Sequence, residues 1–146
     1  MVSTQGGFLM SQIKQVSGRI FEKLLASAGV DAFNGAQGRI LYVLWEHGSL
    51  TISQIGRLTS LANTTLTSML DRMEAGGLIE RVPDRENRRQ IFITTTEKAE
   101  GYREKYEWIS DRMNEIFYEG FTEKEVADFE NNLRRILKNL EKSEEK

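Results

Sequence analysis

Leu9, Ile13, Val16, Ile20, Leu24 and Ala28 recur at spacings of three and four, which predicts an amphipathic helix from Phe8 to about Ala28, ended by Gly29. Asn34, with Gln37 three residues on, has the form of a capping box for a second helix that carries Ile40, Leu41, Leu44 and Trp45 and stops at Gly48. Thr51 and Gln54 repeat that pattern before a short helix holding Ile52, Ile55 and Leu58, and Thr59 to Ala62 reads as a turn. A further helix, about Thr64 to Ala75, aligns Leu66, Met69, Leu70 and Met73 on one side and ends at Gly76-Gly77.

The period then changes from helical to alternating. Leu78 to Val82 predicts a strand, Pro83 to Asn87 a turn, and Arg89 to Thr94 a second strand through Ile91 and Ile93. From Thr96 one long helix is expected, with Ala99, Tyr102, Tyr106, Ile109, Met113, Ile116 and Phe117 on its apolar side and Gly120 at its end. Thr122 and Glu125 form a third capping box, Phe121 and Val126 stand where a hydrophobic staple would, and Val126, Phe129, Leu133, Leu137 and Leu140 line the last helix. The fold class is therefore mainly α with a small β-hairpin. A short helix, a turn and a second helix followed directly by a hairpin is the order of a winged helix-turn-helix, whose second helix enters the major groove of DNA.

Composition narrows the chemistry. With no cysteine there is no disulfide framework, thiol nucleophile or cysteine redox sensor, and the lone histidine, His47, is too little for a zinc site of usual make-up. No metal and no cofactor are expected. No run approaches the ~18–20 apolar residues of a membrane span, and no basic, apolar and cleavable leader is seen, so no membrane partner and a cytoplasmic location are expected. The net charge of −2 is unevenly spread: Glu97 to Lys146 holds 10 basic against 14 acidic residues, whereas Met1 to Thr96 holds 10 against 8.

That leaves the excess of positive charge on the segment whose side chains suit nucleic acid. With Leu66, Met69, Leu70 and Met73 facing a core, the outward arc of their helix presents Asn63, Thr64, Thr65, Thr67, Ser68, Asp71 and Arg72. Short hydroxyl and amide groups allow a close approach to base edges, and a helix N-terminus offers N–H groups to a phosphate. The hairpin adds Arg81, Arg85, Arg88 and Arg89 within nine residues, and guanidinium groups suit phosphates and the narrow minor groove. Surface capping by the Thr and Ser residues and a solvated charge run are the competing readings.

The segment from Leu61 to Ala99, with TTLTSMLDRMEAGGLIER, then VPDRENRRQ, then ITTTEKA, resembles the recognition helix, wing and following helix entry of the MarR family of transcription regulators. The resemblance in order and length covers nearly the whole chain. It implies one MarR-type domain over residues 1–146: a dimerisation helix and loop in 1–35, the winged helix-turn-helix in 36–96 and further dimerisation helices in 97–146. Asp84, Arg88 and Arg89 match the family's wing pattern, with Arg89 as the residue at the tip that reaches the minor groove. Asn87 stands where the family commonly has an acid, which removes a salt bridge through that position. The family implies a repressor that binds a pseudo-palindromic operator in double-stranded DNA as a homodimer. Phe8, Leu9, Ile116, Phe117, Phe129, Leu133, Leu137 and Leu140 agree with this, because a monomer would expose them unless the helices covered one another within the chain.

The family also implies release by a small aromatic or phenolic ligand in a cleft flanked here by Tyr42, Trp45, Tyr102 and Tyr106, with Arg19, Arg39 or His47 facing a carboxylate. The same aromatics read equally as core. An enzyme is not expected, since no nucleophile, acid–base pair or metal cluster converges in the sequence. A winged helix that binds protein rather than an operator is the alternative, and an arginine-rich wing tip without aromatics weighs against it.

Overall fold

The computed structural model describes residues 3–145. In chain order they form α1 (Gly6–Ser27), α2 (Gly35–His47), β1 (Leu50–Thr51), α3 (Ile52–Thr59), α4 (Asn63–Ala75), β2 (Ile79–Pro83), β3 (Ile91–Thr95), α5 (Glu97–Glu100), α6 (Arg103–Phe117) and α7 (Glu123–Glu144). The chain divides into two compact units, 1–111 and 112–146.

Within the first unit the helix boundaries follow local chemistry. The Asn34 and Thr51 side chains accept from the amides of Gln37 (2.9 Å) and Gln54 (3.2 Å), and both glutamines return the bond, so the two capping boxes close as expected. Glu22 of α1 adds a carboxylate at the start of α2, 2.6 Å from the amide of Gly35, which ties the two helices together. Gly77 ends α4 at φ +76, a conformation that favours glycine, and lets the Leu78 amide return to the Met73 carbonyl at 2.9 Å.

The core of this unit gathers one face of each element. Ile40, Leu41 and Leu44 of α2, Ile55 of α3, Leu66, Leu70 and Met73 of α4, Ile79 and Ile93 of the strands, and Ile109 of α6 are all buried. Met69, expected on the same side of α4, lies at the margin and is half-buried.

Three expectations change. A two-residue strand, β1, pairs antiparallel with β3 and makes the hairpin a three-stranded sheet of order β1-β3-β2. It escaped the periodicity because two residues carry no alternation, and Thr51 serves both as a strand residue and as the N-cap of α3. The wing strands begin later than expected: Pro83 closes edge strand β2 opposite Ile91, where it disrupts no ladder, and Arg89 lies in the connecting loop rather than in β3. The helix expected to run on from Thr96 is broken after one turn at Gly101, where the Tyr102 amide bonds the Ala99 carbonyl at 3.0 Å. That first turn is held to the base of the wing instead, with Thr96 Oγ1 donating to the Gly77 carbonyl (2.6 Å) and Lys98 Nζ to that of Gly76 (2.9 Å).

In the second unit the third capping box closes α7, with the Glu125 amide 3.1 Å from Thr122 Oγ1. The Tyr118 hydroxyl donates to Glu130 at 2.7 Å, amid Phe117, Phe121 and Phe129. Desolvation and then Glu130 push its pKa up to about 12. α7 has no buried residue, and Leu137 and Leu140 of the expected inner stripe are exposed, as is Ile136 beside them. At the other end of the chain Phe8, Leu9, Ile13 and Val16 of α1 are exposed too.

Gly38 tests the packing around Tyr106. A Cβ there would lie 2.6 Å from the Tyr106 ring and 3.3 Å from that of Phe33. Helix propensity favours alanine over glycine by about 1 kcal/mol, yet overpacking a close contact costs about 1–3 kcal/mol. Gly38→Ala is therefore expected to destabilise the protein in urea unfolding, the reverse of the propensity effect.

Candidate nucleic-acid interface

The burial of Leu66, Leu70 and Met73 fixes the rotation of α4, and the remaining arc faces solvent: Asn63, Thr64, Thr65, Thr67, Ser68 and Arg72 are all exposed. Ala62, at the N-cap, provides no side-chain acceptor, and the first turn's backbone bonding begins at Leu66, whose amide reaches the Ala62 carbonyl. The amides before it are left for another acceptor, at the positive end of the helix dipole. Thr67 donates to the Asn63 carbonyl at 2.8 Å, which leaves its oxygen free to accept, and Arg72 leans on Ser68 Oγ at 3.1 Å.

A groove of about 490 Å³ runs beside this arc, where Thr64, Thr65, Ser68 and Arg72 meet Asn34 and Gln37 from the start of α2. The α2 residues were legible only as a capping box. Nothing in their spacing signals that the fold brings them beside α4.

The wing tip is ordered by its own short side chains. Asp84 accepts from the Glu86 amide (2.9 Å) and Asn87 from the Arg89 amide (3.2 Å), while backbone bonds join Asp84 to Gln90 and Gln90 to Asn87. Asn87 thus braces the turn through the backbone. Arg85, Arg88 and Arg89 are exposed, and none makes an ion pair among the described residues.

Arg81 departs from the expected set of available arginines. It pairs with Asp71 (2.8 Å) and Glu74 (2.5 Å) on α4, and its side chain is 24% exposed. The bond to Asp71 raises its pKa, partial burial opposes this, and Glu74 adds to the rise.

The residues named for a ligand are only partly brought together. Tyr106 is the hub: Phe21, Phe33, Tyr42 and Trp45 have ring centroids within 5.5–6.4 Å of it. Tyr102 is half-buried and meets Phe33 at 5.5 Å. Trp45 and Tyr106 are buried core residues, Tyr42 is exposed, and so are Arg19, Arg39 and His47. Burial pushes the Tyr106 phenol up, against Arg39 and a hydrogen bond with Ser110. The indole N–H of Trp45 is buried without an acceptor among the described residues. A cavity of about 660 Å³ opens between α1 and α2, but it is bordered by Glu22, Leu25, Val30, Asp31 and Phe33 rather than by any of the seven residues named for the ligand. Among the described residues no group of three or more metal-ligating side chains is found, and no helix is long and apolar enough to cross a membrane.

A helix-turn-helix with a three-stranded wing, an outward polar arc and a basic tip defines the winged-helix class. The MarR family's sequence profile matches residues 33–91. The chain is 30% identical over 96 residues to the HTH-type transcriptional regulator YwhA of Bacillus subtilis, covering 66% of this chain and 69% of that one. It is 38% identical over 88 residues to the HTH-type transcriptional regulator TtmR of Methylorubrum extorquens, covering 60% of this chain but only 44% of TtmR. Among solved structures, a mutant of Escherichia coli MarR complexed with operator DNA superposes with a TM-score of 0.79 at 23% identity, over 90% of this chain and 92% of that one. Bordetella bronchiseptica BpsR, described for regulation of its DNA binding by 6-hydroxynicotinic acid, gives 0.81 at 20% identity, over 93% and 95%. The chain belongs to the MarR family.

Proposed function

We propose that this protein is a transcription regulator that binds a pseudo-palindromic operator as a homodimer and represses by occupying it. The observation that carries the reading is the outward arc of α4, Asn63 to Arg72, beside a wing tip with three exposed arginines that make no ion pair among the described residues. Hydroxyl and amide groups read base edges while Arg85, Arg88 and Arg89 take phosphates and the minor groove. The operator complex of the similar E. coli protein supports it. A second copy covers the apolar stripes of α1 and α7, where Phe8 is 68% and Leu140 61% exposed. Dimerisation follows as the least costly way to remove that surface from water, with residues 1–35 and 97–146 as dimerisation segments around the winged helix of 36–96.

Selection from a pool of random duplexes is expected to enrich a two-fold-related site. Affinity for that site should fall steeply with salt, and Arg89→Ala should shallow the slope of log affinity against log salt by about one. No enrichment, with weak and salt-insensitive binding, would support a protein-interaction module instead.

The second element of the proposal is release by a small aromatic acid. The Trp45 N–H, without an acceptor among the described residues and on a ring 5.5 Å from that of Tyr106, supports it, because a buried donor without an acceptor costs about 1–3 kcal/mol that a ligand oxygen would recover. Trp45 becomes the sole tryptophan when Trp108→Phe is made. Salicylate and 6-hydroxynicotinic acid should then shift its emission and release the selected duplex. If neither does so at millimolar concentration, the aromatic-acid reading falls.

A further inference from the structure

We propose that Arg81 is a positioning residue for DNA binding, which sets the angle of the wing against the recognition helix by clasping Asp71 and Glu74, without touching DNA itself. The inference rests on the DNA-binding reading above.

Asp71 and Glu74 lie three apart on α4 and so share one face of it, and the Arg81 guanidinium spans both, with Nη2 on Asp71 and Nη1 on Glu74. Among the described residues these are the only side-chain hydrogen bonds between α4 and the wing strands. They fall where the hairpin needs them. Ile79 is the last deeply buried residue of β2, and from Glu80 onward the strand leaves the core, as an edge strand paired on one side only.

Arg85 stands four residues beyond Arg81, at most about 13 Å along an extended chain, so a swing of about 10° at the clasp carries the tip through about 2 Å. Directed hydrogen bonds to phosphate, at about 2.7–3.2 Å, do not survive such a displacement. The clasp therefore governs where Arg85, Arg88 and Arg89 arrive relative to the groove that α4 occupies. It also draws the charge of the two acids, which project from the element closest to DNA, onto an internal partner.

This assignment predicts an effect of unusual sign. Removing an acidic charge from a DNA-facing helix ordinarily strengthens binding to a polyanion, whether Arg81 is solvated or is itself a phosphate contact. If Arg81 is a clasp, Glu74→Gln weakens binding, because the loss of wing placement outweighs the charge removed.

Binding of wild type, Glu74→Gln, Asp71→Asn and Arg81→Met to the selected duplex would be measured by fluorescence anisotropy at fixed salt, with circular dichroism confirming that each variant folds. Glu74→Gln and Asp71→Asn are expected to lose roughly three- to tenfold in affinity, Arg81→Met about tenfold or more, and the exchanged pair Arg81→Glu with Glu74→Arg to regain part of the loss, as coupled residues do. Because the chain has no cysteine, spin labels at Glu86→Cys in the wing and Ser53→Cys in α3 report the angle separately, and Glu74→Gln should broaden their distance distribution. Tighter or unchanged binding by Glu74→Gln, or an unaltered distribution, overturns the clasp. Failure of wild type to bind any duplex overturns the DNA-binding reading, and the label distances then still decide whether the clasp orders the wing.

Discussion

One constraint organises the rest of the molecule: the apolar face of α4 must be buried. Leu66, Leu70 and Met73 each gain about 2 kcal/mol by leaving water, and together they fix how the helix is rotated about its axis. The polar arc from Asn63 to Arg72 is the geometric remainder of that burial. The same core takes in Ile79 and Ile93 at the base of the wing, so the helix and the hairpin share a foundation. Beyond it the hairpin leaves the core, and the contacts that join it to α4 become ion pairs.

Much of this was legible in the sequence because the signals were local. Three capping boxes, at Asn34, Thr51 and Thr122, and the helix-end caps Gly48 and Gly76 are short-range chemistry and are found in place, whereas α6 stops at Phe117, short of Gly120. The changes are long-range ones. β1 exists only because Leu50 and Thr51 meet Ile93 and Phe92, more than forty residues away. The break at Gly101 reflects the ties from Thr96 and Lys98 to the carbonyls of Gly77 and Gly76, which hold the preceding turn to the wing base.

The candidate interface divides in the same way. The outward arc of α4 followed from helical period alone. The role of Arg81 did not, since in sequence it is one of four arginines, and only the fold sets Asp71 and Glu74 against it. The groove residues Asn34 and Gln37 were hidden for a similar reason, as their capping function already accounted for them. For the ligand, Trp45 and Tyr106 are core, as aromatic residues at helical spacing commonly are, and the Trp45 N–H is buried without an acceptor among the described residues.

The chain presents two kinds of surface, a polar one that suits DNA and apolar ones on α1 and α7 that suit a second copy. A dimer fixes the distance between two recognition helices, so it must read two half-sites on one face of the duplex, about 10 base pairs apart. The most direct measurement is affinity for the selected operator with five base pairs, half a helical turn, inserted between its halves. The account predicts that affinity falls to that of a duplex carrying a single half-site. Binding that is indifferent to the insertion would contradict it.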